Sequence, residues 1–289
     1  MRGGSGPRRA GSQDATRLNR FYRAMTSLDG AIAALKLAGV DTDANVAAAD
    51  LYTRGIDCHN LGGYRQLEAI ANAVATVEAP NSDDGVLDLG CGLGGPSRFI
   101  ADRFGCSVTG ADVAPLRVDA ARALAELTNT TTQTQFLVAD ATSLPFDDAR
   151  FAQVWMMDVS IHVRDKRPFF SEIARVLRRD GLLVLHDQLG PLPPSMRAAK
   201  LMAPYFAPSL PQLIRLLHDA GLRPELWRDT TKAVLDVFYQ RRELAASIDP
   251  STLGRHAREA ARGMALLNGY IEALECPRGC TGMIIARRL

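Results

Sequence analysis

The run Val86-Leu-Asp-Leu-Gly-Cys-Gly-Leu-Gly-Gly-Pro96 constrains the fold of this chain more than any other stretch. Val86 to Leu89 reads as a short apolar strand that carries one acid, Asp88. Glycines follow at once, and a helix follows the glycines. Glycine at 90, 92 and 94 or 95 lets the backbone turn sharply and approach a ligand, because no Cβ stands in the way. The helix that begins near Gly95 offers unpaired N–H groups in its first turn. A strand–glycine–helix unit of this kind is a nucleotide-type corner in an α/β sheet. A plain tight turn would leave this density of signals without a purpose.

Two acids bear on the ligand. Gly90, Gly92 and Gly95 also satisfy G-x-G-x-x-G, so a dinucleotide must be weighed. Asp88, however, puts a carboxylate just before the glycines, where it repels a pyrophosphate and suits a cation. S-adenosylmethionine has a sulfonium and an α-ammonium and no phosphate. Asp112 ends the next predicted strand, Ser107-Val-Thr-Gly-Ala-Asp112. An acid there can accept from both ribose hydroxyls, at about 1.5–3 kcal/mol per charge-assisted hydrogen bond.

Three further motifs follow in order: Gly110-Ala-Asp112, Val138-Ala-Asp-Ala-Thr-Ser-Leu-Pro-Phe146 and Arg175-Val-Leu-Arg-Arg-Asp-Gly181. With the glycine run they resemble the class I S-adenosylmethionine-dependent methyltransferases, from about Tyr52 to the C-terminus. The resemblance implies a Rossmann-like α/β fold. Its sheet would have seven strands, mostly parallel with a reversed final strand, helices on both faces and an N-terminal helical cap. It also implies a cofactor site built from Tyr52, Asp88, Gly90, Gly92, Gly94, Asp112, Val113, Arg117, Asp140, Ala141 and Asp158. Asp140 would meet the adenine edge, and S-adenosylhomocysteine would be the product. Among members of the family, the Gly-Gly-Pro ending is similar to sterol, tocopherol, prenyl-diphosphate and amino-acid methyltransferases. A further similarity is to terpenoid C-methyltransferases of the teleocidin type. The segment Cys58-His-Asn-Leu-Gly-Gly63 departs from the aromatic, acid-rich cap of the sterol group.

Bulk properties exclude several classes. The chain has 289 residues, 47% of them hydrophobic, and a net charge of +2. Nucleic acid as a partner calls for clustered Lys and Arg, which the chain lacks. No apolar run reaches the length of a membrane span, and the N-terminus has no signal-peptide core, so a soluble cytoplasmic protein is expected. The five cysteines, at 58, 91, 106, 276 and 280, do not read as a disulfide framework. Cys276 and Cys280 form a C-x-x-x-C with no second pair or nearby His, so no metal site is expected.

Along the chain, residues 1–14 read as a disordered tail and 15–80 as the helical cap. Residues 81–289 read as the cofactor domain, with a substrate lid around 190–211. A helical pattern spans Ala15 to Ala38, and a second spans Gly62 to Val77. Strands are expected near 86–90, 107–111, 134–139, 151–157, 181–187, 222–229 and 279–287. Helices are expected near 96–104, 115–128, 167–179 and 209–221, with two more within 231–275. In such a sheet ligands bind at the carboxyl ends of the strands. That places Asp88, Asp112, Asp140, Asp158 and Asp187 at one rim.

Methyl transfer needs an aligned acceptor, exclusion of water and, for a protic acceptor, a base. His162, just past the fourth strand, is the candidate base, with a structural role as the alternative. Asp187 could orient it or bind a substrate cation. Tyr22 and Tyr205 are candidates for the acceptor pocket. The expected activity is methyl transfer to a small, largely hydrophobic metabolite, leaning to C-methylation of a terpenoid or prenyl group. An O- or N-methyltransferase with His162 as base stays open beside it. A nicotinamide-dependent oxidoreductase is disfavoured by Asp88 and by the lack of a Tyr-x-x-x-Lys pair. The helix at 15–38 cannot bury its apolar face alone, so a homo-oligomer joined through it is expected.

Overall fold

The computed structural model describes residues 16–18, 27–44, 46–193, 204–247 and 257–289. The tail at 1–14, Tyr22 and the middle of the predicted lid lie outside the described residues.

Among the described residues, the helices α1 (Leu28–Leu37), α2 (Ala48–Tyr52) and α3 (Gly63–Val77) precede the sheet. Strand and helix then alternate through β1 (Gly85–Leu89), α4 (Gly95–Phe104), β2 (Ser107–Asp112), α5 (Pro115–Leu127) and β3 (Thr134–Val138). After these come β4 (Phe151–Met157), α6 (Lys166–Val176), β5 (Leu177–Leu189), α7 (Leu210–Asp219), β6 (Leu222–Asp229), α8 (Thr231–Ala246), α9 (Ala257–Glu275) and β7 (Cys280–Arg288). One seven-stranded sheet runs β3-β2-β1-β4-β5-β7-β6. Only β7 is reversed, antiparallel to both β5 and β6. The chain thus has the class I methyltransferase fold expected from its motifs.

Period-two alternation sends each strand's residues to two cores. Leu87, Leu89, Val154, Met156, Leu183 and Leu185 pack with Phe169, Phe170 and Leu213 of α6 and α7. Val86, Trp155, Met157, Leu182 and Val184 pack with Leu67 and Ile70 of α3 and with Phe99 and Ile100 of α4. Both faces of the sheet are therefore covered, as a parallel sheet requires.

Three elements differ from the sequence expectation. The predicted Ala15–Ala38 helix does not run through Ser27. Residues 16–18 are helical, but Ser27 is extended, and its hydroxyl caps a new helix by accepting from Gly30 N at 3.1 Å. The helix predicted to reach 179 stops at Val176, because Leu177 turns extended and pairs with Phe151. The short helix α2 had no periodic signature, since five residues make little more than one turn.

Candidate active site

The glycine corner is stitched to the end of β2. Gly90 N donates to Ala111 O at 2.7 Å, and Gly92 N donates to Asp112 Oδ2 at 3.0 Å. Both glycines have positive φ, 76° and 57°. A Cβ on Gly90 would sit 2.4 Å from Val159 Cγ2, and one on Gly92 would sit 2.2 Å from Arg117 Nη2. The corner is thus closed to any side chain but open along its backbone. Asp112 also accepts from Ala114 N at 2.9 Å, with Arg117 Nη1 3.8 Å away.

A cavity of about 500 Å³ opens over this corner. That is within the range of a pocket for one small-molecule ligand. Its walls bring together Gly90, Gly92, Asp112, Val113, Arg117, Asp140, Ala141, Asp158 and His162 from the predicted set. Asp140 is solvent-exposed and holds its loop by accepting from Thr142 N (2.9 Å) and Thr142 Oγ1 (2.7 Å). Leu18 and the stretch His162–Asp165 complete the far side.

Asp158 has φ 58°, a left-handed conformation that is uncommon for a residue with a side chain. Two hydrogen bonds hold it there. Its N–H donates to His186 O at 2.8 Å, and its Oδ2 accepts from Leu61 N at 2.6 Å. One residue therefore ties the end of β4 to the loop before α3. The turn Ser160–His162 follows. His162 Nδ1 lies 2.8 Å from Pro204 O. A carbonyl only accepts, so Nδ1 carries the ring proton and Nε2 the lone pair. Burial pushes the imidazole below its usual pKa, against the Pro204 carbonyl and Asp158, which raise it. The ring is therefore neutral at pH 7.

The structure places five predicted residues away from the cavity wall. Asp88 is buried between β1 and α4, where it accepts from Ser97 Oγ at 2.6 Å; burial raises its pKa to about 7. Tyr52 is a core side chain, stacked on Tyr64 and donating to Asp102 Oδ2 at 2.8 Å. Gly94 serves as the N-cap of α4 with φ 81°, facing Phe136. Asp187 is fully buried and accepts from Ser160 N at 2.9 Å. Tyr205 donates to Gly190 O at 3.0 Å and packs with Leu192 and Leu266. For the two acids on strands, Asp88 and Asp187, nearness to a motif in sequence does not decide which side of the sheet a side chain takes.

Asp57 on the cavity wall escaped the sequence reading, whereas Asn60 lies in the segment similar to the family's cap over the methionine end of the cofactor. Asp57 is buried and held by Arg98, which donates from Nη2 (2.7 Å) and Nε (3.2 Å) to Oδ2. Its Oδ1 has no hydrogen-bond partner, and neither has the Oδ1 of Asn60, whereas the Oδ1 of Asp158 faces His186 Nδ1 at 3.5 Å. Buried acceptors left unpaired cost about 1–3 kcal/mol each. Two such oxygens on residues of one cavity wall suit a ligand rich in donors, as an ammonium is. The residues therefore fit S-adenosylmethionine: Asp57 and Asn60 for the ammonium, Asp112 for the ribose. The polar density of Asp57-Cys-His-Asn60 was the available signal. His59, in the same stretch, lines the cavity, and the surrounding protein and the Arg117 and Arg241 cations push its pKa down.

Among the described residues no helix is long and apolar enough to cross a membrane, and no group of His, Cys, Asp or Glu could hold a metal ion.

Residues 87–185 match the methyltransferase domain family. A probable chloroplastic tocopherol O-methyltransferase of Oryza sativa subsp. japonica is 33% identical over 138 residues, which cover 46% of this chain and 38% of that protein. The chain thus spans well under half the length of this curated relative. A solved phosphoethanolamine N-methyltransferase 2 of Haemonchus contortus superposes with a TM-score of 0.73 at 20% identity, over 83% of this chain and 56% of that one. A geranyl diphosphate C-methyltransferase from Streptomyces coelicolor A3(2) superposes with a TM-score of 0.65 at 20% identity, over 78% of this chain and 80% of that one. These two likenesses are of fold. Residues 87–185 are a methyltransferase domain, and the chain carries it on the class I S-adenosylmethionine-dependent methyltransferase fold.

Proposed function

We propose that this chain transfers a methyl group from S-adenosylmethionine to a small, largely hydrophobic metabolite, with a terpenoid or prenyl carbon as the leading acceptor class. The observation that carries the reading is the cavity itself. It joins a glycine corner, a ribose-ready acid (Asp112), two unpaired buried acceptors and a neutral histidine in one space. When bound, S-adenosylmethionine supplies an electrophilic methyl on a sulfonium. The chain's own residues do the rest. The corner and the acids orient the cofactor, and Met157, Val159 and Val163 give the wall an apolar stretch that excludes water. His162 takes the acceptor's proton at Nε2. The names of two proteins this chain resembles, a tocopherol O-methyltransferase and a geranyl diphosphate C-methyltransferase, support a greasy acceptor.

The tautomer of His162 favours a second reading, an O- or N-methyltransferase, because a base aimed into the pocket is what a protic acceptor needs. One variant separates the two. Reactions with a metabolite extract are followed by mass spectrometry for a gain of one methylene, with cofactor affinity measured in parallel. For an O or N acceptor, His162→Ala should cut turnover by about 10²–10⁴-fold and leave S-adenosylhomocysteine affinity unchanged. For an alkene carbon, proton loss follows methylation, so the variant should release altered products instead. Wild-type protein that binds NAD and not S-adenosylhomocysteine would refute both readings.

A further inference from the structure

The turn that carries His162 is gripped by two ionisable side chains that do not line the cavity. Lys166 is buried, and its Nζ donates to Ser160 O at 2.7 Å and to Val163 O. On the other side of the same residue, Ser160 N donates to Asp187 Oδ2 at 2.9 Å. Asp187 spends its second oxygen on Gln188 N at 3.0 Å. A cation and a carboxyl group thus hold the C=O and the N–H of Ser160, respectively, two residues before His162.

Nothing about α6 calls for a lysine here. Lys166 is its first residue, and a cation at a helix N-terminus opposes the helix dipole. A buried ammonium is costly unless hydrogen-bonded or paired. A methionine of similar length would fill the space without either cost. What the ammonium adds is a pair of donors aimed at both ends of one short turn.

We propose that Lys166, opposed by Asp187, is the positioning residue for His162, fixing the Ser160–Val163 backbone so that the imidazole stays on the Pro204 carbonyl with its proton on Nδ1. This rests on the reading of His162 as the proton acceptor. It also gives Asp187 a place in the site, acting through Ser160. Burial pushes Lys166 down only to about 8, so the ammonium side of the grip is charged at neutral pH, while burial raises Asp187 to about 7.

The test uses the full chain with isotope-labelled histidine and S-adenosylhomocysteine as probe. The His162 ring is assigned by its loss in His162→Asn. In the wild type the two ring nitrogens should show one tautomer, protonated at Nδ1. Lys166→Met should make their resonances converge, as the ring samples both tautomers, while S-adenosylhomocysteine affinity stays within about twofold. Lys166→Gln, which keeps a donor at shorter reach, should recover part of the wild-type pattern; it is also the readout if Lys166→Met does not fold. Unchanged His162 resonances in Lys166→Met, or in Lys166→Gln where Lys166→Met does not fold, would overturn the grip. Wild-type protein with the proton on Nε2 would instead overturn the assignment of His162 as base, and convergence in Lys166→Met would still report the grip.

Discussion

Two carboxylates on neighbouring strands show how burial assigns roles at the residue scale. Asp112 lines the cavity, and Asp88 lies under it. Asp112→Ala should weaken S-adenosylhomocysteine binding by about tenfold or more, as the cofactor loses charge-assisted hydrogen bonds. Asp88→Asn should leave that affinity nearly intact and change stability instead. Burial holds the folded pKa of Asp88 near 7, above its ordinary 3.8. The fold therefore favours the protonated acid. Its contribution is complete below about pH 4 and is lost as pH rises through about 7, at a slope of at most about 1.4 kcal/mol per pH unit. Urea unfolding should show wild type losing ground to Asp88→Asn between pH 5 and pH 8. A constant difference would refute the buried-acid account. Sequence pattern alone suggested that Asp88 faces the ligand, because it stands two residues before the glycines. Strand alternation explains the outcome: Asp88 shares the face of Val86, which packs against α4, where Ser97 waits.

At the element scale, the boundaries came from single side-chain contacts. Apolar spacing alone carries a helix across Ser27, yet the Ser27 hydroxyl stops it by capping the helix that follows. Ser27→Ala should cost about 1 kcal/mol of local stability. Amide hydrogen exchange should report it as faster exchange confined to Leu28–Leu37; unchanged exchange there would mean that packing on Leu93 and Leu124 holds α1 without its cap. The corner strand, the glycine turn and helix α4 were all legible, because each depends on residues within one short run. The Ser160–His162 turn was not. Its shape depends on Asp187 and Lys166, donated by β5 and α6.

For the whole molecule, the question is what closes the cavity. Leu18 lines it, ahead of helix α1. Helix α1 packs separately, with Ala31 and Leu35 against Leu51, Leu93 and Leu124. Removing residues 1–26 should therefore keep the fold and the thermal midpoint within a few degrees. It should also keep cofactor affinity and lose turnover, since the acceptor end is opened to water. Full turnover in the truncated chain would detach the N-terminal segment from the acceptor pocket.

The sequence by itself determined the sheet class, the glycine corner and the acid that follows it on β2, while the reversed last strand was expected only from the family resemblance. The first three follow from local rules: period-two strands, glycine at positive φ and an acid at a strand end. Only the tertiary structure decided which polar groups share the cavity. Asp57 is set by Arg98, 41 residues away, and Asp158 by Leu61, 97 residues away. Those hydrogen bonds exist only after distant segments pack. The direction of a side chain at a strand end is a property of what lands on it, and no window of sequence contains both partners.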